Sequence, residues 1–344
     1  MLFVRSLYAL VAVIILSVSN AGDAYSASTI DQVRSRGFVR CGVTDRVPGF
    51  SIQNASGAWE GFFVDYCRAA AAAVIGDADA VSVDSFWLDA LSGRDIDVLH
   101  AGTTWTFNRD TSQGIEFPGI YFYDGQGFIA NASLGVENVE QALSKQGVKV
   151  CAISETSTAF RNLNDFIKRN NAPWEVVEIK TMEGMWRAFF GGRCNMAIHD
   201  RSALAAVHAG RMGDTADYIV LPDVITKEPL APAVRDDDIQ WRDLLSWVLQ
   251  VTIVAEEHSI TKDNVDQVRT SAELTEIRYL LGEIEGLGKP FGLDDSWAYR
   301  VIKQVGNYGE IFNNNLGPET KFKMTRGMNK LWRDGGLLYA PPLR

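Results

Sequence analysis

Short apolar runs and amphipathic stretches alternate along this chain from residue 38 onward. The first series has strand-like and helical stretches at 38–43, 62–75, 80–83 and 96–99. The second series has them at 148–153, 159–169, 174–179, 182–190 and 196–198. Strands separated by helices predict βαβ units. We therefore expect an α/β fold of two lobes, each a mostly parallel sheet flanked by helices.

Two further segments, residues 121–129 and 220–234, mix strand-like residues with Gly or Pro. We interpret them as two crossing segments that join the lobes and form a hinge. Helical spacing of apolar residues from Trp241 to Val251 predicts a helix that returns to the first lobe. A further helix is expected through residues 297–312.

These segments divide the chain into four parts. Residues 1–27 form a predicted signal peptide, and residues 28–127 with 230–262 form lobe 1. Residues 128–229 form lobe 2, and residues 263–344 form a helical C-terminal extension packed on lobe 1.

The first residues have the pattern of a secretory signal. Arg5 precedes an apolar run from Leu7 to Val18, and small and polar residues follow it. A basic start, a short apolar stretch and a small-residue region are typical of a cleaved signal peptide. The run is shorter than a comfortable bilayer span. We expect a secreted protein without stable membrane insertion.

Charge and cysteines narrow the class further. The formal net charge is -10, which disfavours nucleic acid as a partner. The four cysteines of a secreted chain predict two disulfides, for which sequence alone allows three pairings. Nearness in sequence favours Cys41 with Cys67 and Cys151 with Cys194. The cysteine and histidine spacings match no common metal site, and we expect no metal or cofactor.

A short internal repeat indicates where a ligand binds. Residues 93–100 resemble residues 192–199, and each segment ends a predicted strand. Ligands of open α/β sheets bind beyond the carboxyl ends of the strands. Arg109 follows the first strand and suits a carboxylate, while Asp200 follows the second and suits an ammonium. A cation on one lobe and an anion on the other predict a zwitterionic ligand.

The candidate binding residues Arg109, Asp200 and Trp87 each also have an ordinary structural interpretation. Arg109 could form a surface ion pair with Asp110 or Glu116. Asp200 could cap the helix that follows it. Aromatic residues such as Trp87 are by default expected in a core.

Known catalytic motifs are lacking from the sequence. These observations favour a binding protein over an enzyme. The alternative function is a periplasmic dehydratase or lyase on the same two-lobe fold, with Glu155 or His199 as acid or base. A receptor's sensing domain is a weaker alternative, because a second membrane segment is missing.

Several stretches resemble one known family. They are residues 40–43, 65–68, 103–112, 123–128, 202–204, 232–235, 297–310 and 340–342. These motifs are similar to those of the general L-amino-acid-binding proteins of polar amino acid ABC transporters (solute-binding protein family 3). The likeness covers essentially the whole mature chain.

The resemblance implies a periplasmic protein with a Venus-flytrap fold that closes over an L-amino acid without catalysis. It implies that Arg109 and Thr104 hold the α-carboxylate, with donors from Thr156 and Ser157, and that Asp200 takes the α-ammonium. The cysteine positions match Cys41–Cys67 and Cys151–Cys194.

Near the expected pocket the sequence departs from the family. Gly102 belongs to an Ala-Gly pair that replaces a usual polar pair, the segment ending at Trp87 looks shortened, and His199 replaces a small hydroxyl residue. We include Gly102 and Trp87 in the ligand-binding set. The expected partners are a small amino acid and a membrane-embedded permease, and the protein is expected to be a monomer. The preferred side chain is not predictable from these residues.

Overall fold

A computed structural model of the protein describes residues 28–154, 157–210 and 217–343. Its strands are β1 Val39–Val43, β2 Ile52–Gln53, β3 Trp59–Glu60, β4 Val81–Ser85, β5 Val98–His100, β6 Ile115–Glu116, β7 Phe122–Asp124, β8 Gln126–Asn131, β9 Lys149–Ile153, β10 Glu175–Ile179, β11 Met196–Asp200, β12 Tyr218–Val220, β13 Glu228–Leu230 and β14 Val234–Arg235. Its α-helices are α1 Thr29–Arg36, α2 Phe62–Val74, α3 Asp89–Ser92, α4 Phe107–Ser112, α5 Val139–Leu143, α6 Thr158–Asn170, α7 Met182–Phe190, α8 Arg201–Gly210, α9 Ile239–Glu257, α10 Val265–Ser271, α11 Thr275–Leu280, α12 Trp297–Gln304 and α13 Tyr308–Asn315.

The first lobe is built on a parallel sheet with the strand order β4-β1-β5. Its central strand, β1, is almost wholly buried, as expected for an apolar run covered on both faces. Helix α2 packs against this sheet, and its alanines at 69–73 are fully buried. Because alanine side chains are short, the C-terminal helix α12 approaches α2 closely, and the Arg300 guanidinium donates to the carbonyls of Ala72 and Ala73.

The second lobe is built on a five-stranded sheet with the order β10-β9-β11-β8-β12. Strands β9, β10 and β11 are parallel, and β8 runs antiparallel to β11 and β12. Two clusters of buried side chains cover its faces, one around Phe128 and Trp174 and one around Met185 and Phe189. The predicted two-lobe α/β fold with mostly parallel sheets is confirmed.

The two lobes are joined where β7 and β13 pair as antiparallel strands. The chain turns at Gly125 between β7 and β8, and a Cβ atom there would lie 2.1 Å from the Val224 side chain. Glycine is therefore required for the first crossing. The residue boundaries proposed for the lobes and the extension stay a prediction.

The C-terminal segment differs from expectation at one point. One helix was expected through residues 297–312, and the structure has two, α12 and α13. Gly306 has φ 111°, a conformation that an α-helix does not allow. Asn307 then starts α13, where its side chain accepts from the Glu310 amide and the Glu310 side chain accepts from the Asn307 amide. This capping box explains the break.

Both expected disulfides are present, Cys41–Cys67 in the first lobe and Cys151–Cys194 in the second. The predicted signal peptide, residues 1–27, lies outside the described residues. Within the described ranges, no helix combines the length and the hydropathy needed to cross a bilayer.

Candidate functional site

A cavity of about 610 Å³ lies where the carboxyl ends of the two parallel sheets face each other. This volume falls in the range of about 300–1,000 Å³ that is usual for small-molecule sites. Residues from both lobes line it: Thr44, Val47, Phe50, Phe63, Trp87, Leu88, Gly102, Thr104, Arg109, Gln113, Gln126, Ile153, Ser154, Ser157, Thr158, Ala159, Lys180, Met182, His199, Asp200, Ser202, Ala203 and Leu230.

Arg109 reaches the cavity from α4. The Thr106 side chain caps this helix by accepting from the Arg109 amide, and the Arg109 Nη1 atom donates to the Thr104 carbonyl at 2.8 Å. The side chain is buried, and Glu116 pairs with Arg242 instead. The surface-pair interpretation of Arg109 is therefore wrong. Burial lowers the pKa of Arg109, yet a guanidinium stays charged at neutral pH.

Asp200 is the last residue of β11, on the second lobe, and lines the same cavity as Arg109. Burial raises the pKa of Asp200 well above its ordinary value, and the carboxylates of Asp124 and Glu228 raise it further. The Arg109 charge opposes this shift. A Cβ atom added to Gly102 would lie 3.7 Å from Asp200 Oδ2, so Gly102 leaves space beside that carboxylate. An ammonium group placed here would favour the ionised form of Asp200.

Asp200 was also expected to cap the helix that follows it, but another carboxylate, Asp124, binds the first turn of that helix. The amide and hydroxyl of Ser202, in the first turn of α8, both donate to Asp124 Oδ2. Asp124 is the last residue of β7, and burial raises its pKa to about 6.

Sequence reasoning missed a polar network behind the cavity. Glu228, on β13, accepts from the hydroxyls of Thr104 at 2.6 Å and Thr226 at 3.0 Å. The Asn162 amide on α6 donates to Glu228 at 3.1 Å and to Gln126 at 2.9 Å. No sequence signal singles out Glu228, because a glutamate between Lys227 and Pro229 has the pattern of a solvated loop charge.

The other predicted ligand-binding residues are placed as follows. Thr104, Gly102 and Ser157 line the cavity together with Arg109 and Asp200. Ser157 caps α6 by accepting from the Phe160 amide. Trp87 also lines the cavity and is 46% exposed, so its default assignment to a core is wrong. Thr156 lies outside the described residues. Contact of this set with a ligand stays a prediction.

The two strand-end histidines differ in their surroundings. His199 lines the cavity, stacks on Trp186, and its Nδ1 atom accepts from the Asp200 amide. Burial lowers the pKa of His199 to about 4, so the ring is neutral at pH 7. His100 is buried in the core of the first lobe, where no hydrogen-bond partner for either ring nitrogen is found among the described residues. It lies beside Cys41 and Cys67, whose sulfurs are joined to each other.

Known proteins resemble this chain over nearly all of its length. It is 42% identical over 327 residues to the general L-amino acid-binding periplasmic protein AapJ of Rhizobium johnstonii, covering 94% of each chain. It is 41% identical over 325 residues to the glutamate/glutamine/aspartate/asparagine-binding protein BztA of Rhodobacter capsulatus, covering 93% of this chain and 95% of the relative. No protein-family model matches the chain.

A solved structure shares the whole architecture. The periplasmic binding protein of an ABC transporter from Brucella ovis, with glutathione bound, superposes with a TM-score of 0.88. It is 37% identical in sequence, and the match covers 92% of this chain and 100% of that one.

The chain belongs to the family of periplasmic amino-acid-binding proteins of ABC transporters. Membership of this family gives the molecule its function as the substrate-binding component of an amino acid transporter, and it implies a periplasmic location. The relatives are binding proteins, and nothing in the comparisons supports the dehydratase or lyase alternative.

Proposed function

We propose that this protein captures a ligand carrying a free α-amino acid group and presents it to a membrane-embedded ABC permease. The α-carboxylate binds Arg109 on the first lobe, and the α-ammonium binds Asp200 on the second. The observation that carries this proposal is that both residues, although they come from different lobes, line one cavity. Two opposite charges that face each other across a cleft match both charges of a zwitterion.

Closure follows from the same arrangement. A ligand shifts a two-state equilibrium only by its difference in affinity for the two states. A zwitterion that bridges Arg109 and Asp200 contacts both lobes only when the cleft is closed. The ligand therefore favours the closed form.

The breadth of recognition is also proposed from the cavity. Apolar side chains such as Val47, Phe50 and Phe63 share its lining with Gln113 and Lys180. This mixture allows several side chains beyond the α-amino acid group. Glutathione has such a group at its γ-glutamyl end, so we include it among the candidate ligands together with the twenty amino acids.

Three further points complete the proposal. Residues 1–27 direct export and are cleaved, the protein acts as a monomer, and it catalyses no reaction. His199 is a poor candidate for an acid because its ring is neutral at pH 7 and its Nδ1 atom is occupied by the Asp200 amide.

The test is calorimetric titration of the twenty L-amino acids and glutathione into the wild-type protein and the Arg109→Ala variant. Truncating one partner of a buried charge pair costs about 2–5 kcal/mol, so we expect affinity to fall by about 30-fold or more. Arg193→Ala, an exposed arginine of the second lobe, is the matched control and should bind like the wild type.

Thermal unfolding of both variants shows that a loss of binding is not a loss of folding. Equal affinity of Arg109→Ala and wild type would refute the assignment of Arg109. A wild-type protein that binds no member of the panel would refute the proposed function as a whole.

A further inference from the structure

Glu228 is a buried carboxylate in contact with a residue that the proposed function gives to the ligand. It is 2% exposed, and its Oε2 atom lies 2.6 Å from the Thr104 hydroxyl, which donates to it. Thr104 is 4% exposed and lines the cavity beside Arg109. The single hydroxyl hydrogen of Thr104 is therefore committed to Glu228 in this structure.

A hydroxyl has one hydrogen to donate. If Glu228 is ionised and takes the hydrogen of Thr104, only oxygen lone pairs of that hydroxyl face the cavity. Lone pairs repel a carboxylate. Thr104 can donate to a ligand carboxylate and keep its hydrogen bond to Glu228 only when its own oxygen accepts that bond, which requires a proton on Glu228.

The geometry also fixes where that proton sits. Glu228 Oε1 already accepts from the Thr226 hydroxyl at 3.0 Å and from the Asn162 amide at 3.1 Å. Oε2 accepts from Thr104. A proton on Oε1 would displace two donors, whereas a proton on Oε2 only reverses the direction of one hydrogen bond. The protonated form is therefore directed at Thr104.

The charges around Glu228 come from several elements. Arg109 on α4 favours the ionised form of Glu228. Asp124, its register partner on β7, and Asp200 on β11 each interact electrostatically with the Glu228 carboxylate. From α6 come the neutral Asn162 and Thr158, together with Arg161, which acts on Arg109.

Ligand binding changes this balance in one direction. A ligand carboxylate at Arg109 neutralises a cation that stabilises ionised Glu228, and it adds a negative charge nearby. Both effects favour protonation. In the ligand-free protein, burial already raises the pKa of Glu228.

We propose that Glu228 is a positioning residue that sets the direction of the Thr104 hydroxyl, and that carboxylate binding is accompanied by proton uptake from solvent at Glu228 Oε2. The inference rests on the proposed function, because it assumes that the ligand carboxylate meets Arg109 and Thr104. It adds to the proposed function that the ligand-bound protein carries one more proton, on Glu228, than the ligand-free protein.

The experiment compares Glu228→Gln with the wild type in titrations of neutral amino acids (L-glutamine, L-alanine and L-leucine) between pH 5.5 and 8. The charges of these ligands do not change in that range. A glutamine amide donates permanently to Thr104 and so mimics the protonated acid. We expect wild-type affinity to fall by up to about tenfold per pH unit above the pKa of Glu228. The variant should lack this component and bind at least as tightly as the wild type at pH 8.

Proton uptake is measured directly by titration in two buffers of different ionisation enthalpy. Asp200 can only release a proton when it binds the ammonium, and loss of the Glu228 charge lowers the pKa of Asp200 and so reduces that release. The difference between wild type and Glu228→Gln is therefore a lower bound on the proton uptake at Glu228. Glu116→Gln is the matched control, because Glu116 pairs with Arg242 and does not line the cavity. It should keep the wild-type pH profile.

Thr104→Val tests the route. Without the hydroxyl, affinity should fall by about tenfold at low pH, and adding Glu228→Gln to Thr104→Val should change nothing further. If the wild type binds but Glu228→Gln keeps its pH slope and proton count, the inference is wrong while the proposed function stands. If the wild type binds none of these ligands, both fall.

Discussion

At the scale of single residues, the cleft concentrates buried charge. Asp200, Asp124 and Glu228 are three buried carboxylates whose charges interact, and the Arg109 guanidinium opposes the pKa shifts of Asp200 and Glu228. Burial raises all three pKa values, and repulsion from neighbouring carboxylates raises those of Asp124 and Asp200 further. The protonation states of these carboxylates therefore depend both on the charge of the bound ligand and on the pH.

His100 allows a prediction about acid stability. Its ring is 2% exposed and lacks partners among the described residues, and burial lowers its pKa to about 3. In the unfolded chain the pKa is about 6.5, so below that pH the unfolded state binds a proton that the folded state refuses. Stability therefore falls as the pH falls from about 6.5 toward 3.

His100→Phe should remove this acid sensitivity. The phenyl ring keeps the stacking on Tyr66 and leaves no nitrogen unpaired. Between pH 7.5 and 5, we expect the variant to lose about 2 kcal/mol less unfolding free energy than the wild type in urea titrations. An identical loss in both proteins would contradict the role given to His100.

At the scale of elements, much of the fold is readable from the sequence. The apolar run at 148–153 became β9 and the helical stretch at 182–190 became α7, because buried strands and amphipathic helices have distinct periods. The break before α13 was not predicted, since the apolar pattern of 297–312 continues through Gly306. Its cause is local backbone geometry, which periodicity does not report.

The candidate site was only partly predictable, for a different reason. Arg109 and Asp200 could be found because they follow predicted strands. Glu228 could not, because a glutamate between Lys227 and Pro229 looks like a solvated loop charge in sequence. Its burial arises only when β13 pairs with β7 and α6 covers it.

The capping box of α13 gives a prediction at this scale. Asn307 caps the helix and its Nδ2 atom also donates to the Ile260 carbonyl at 2.8 Å. Asn307→Ala should lower the free energy of unfolding by about 1–2 kcal/mol, measured by denaturant titration. Asn314→Ala, exposed in the same helix, should change it by less than about 0.5 kcal/mol. Equal effects of the two variants would argue against the cap.

At the scale of the whole molecule, covalent and polar links are divided between the lobes and the hinge. Each disulfide stays within one lobe, and a salt bridge between Arg46 and Glu183 connects the lobes at the edge of the cleft, where both residues are largely exposed. The C-terminal segment contacts the paired strands β7 and β13, which we propose as the hinge. Asn329 accepts from the Tyr123 amide at 2.6 Å and donates to the Tyr123 carbonyl at 3.0 Å.

The pairing of the hinge strands explains this contact. Tyr123 stands opposite Pro229, which has no amide hydrogen, so the polar backbone atoms of Tyr123 point away from β13. The Asn329 side chain satisfies both of them as a third strand would. Tyr308 adds a hydrogen bond from its hydroxyl to the Tyr121 carbonyl at 2.8 Å.

Asn329→Ala should therefore act on the hinge. It leaves a part-buried amide and carbonyl of Tyr123 unpaired, and we expect a loss of about 1 kcal/mol of unfolding free energy together with altered ligand affinity. Met328→Ala, an exposed neighbour, is the matched control and should leave both quantities near wild type. Indistinguishable behaviour of the two variants would show that the amide does not support the hinge.

The contacts of Asn329 and Tyr308 with the connecting segment separate two properties, the surface that meets the ligand and the ease with which the lobes close. A two-lobe receptor without such contacts must adjust both together. Asn329 and Tyr308 are not among the residues that line the cavity, yet they donate to or accept from the backbone of the connecting segment at Tyr121 and Tyr123. If the lobes close about these strands, substitutions in the C-terminal extension change how readily they close, while the residues that line the cavity stay the same. Ligand affinity would then be adjustable by substitutions outside the cavity, which change the closing equilibrium of the lobes and leave the ligand contacts unaltered.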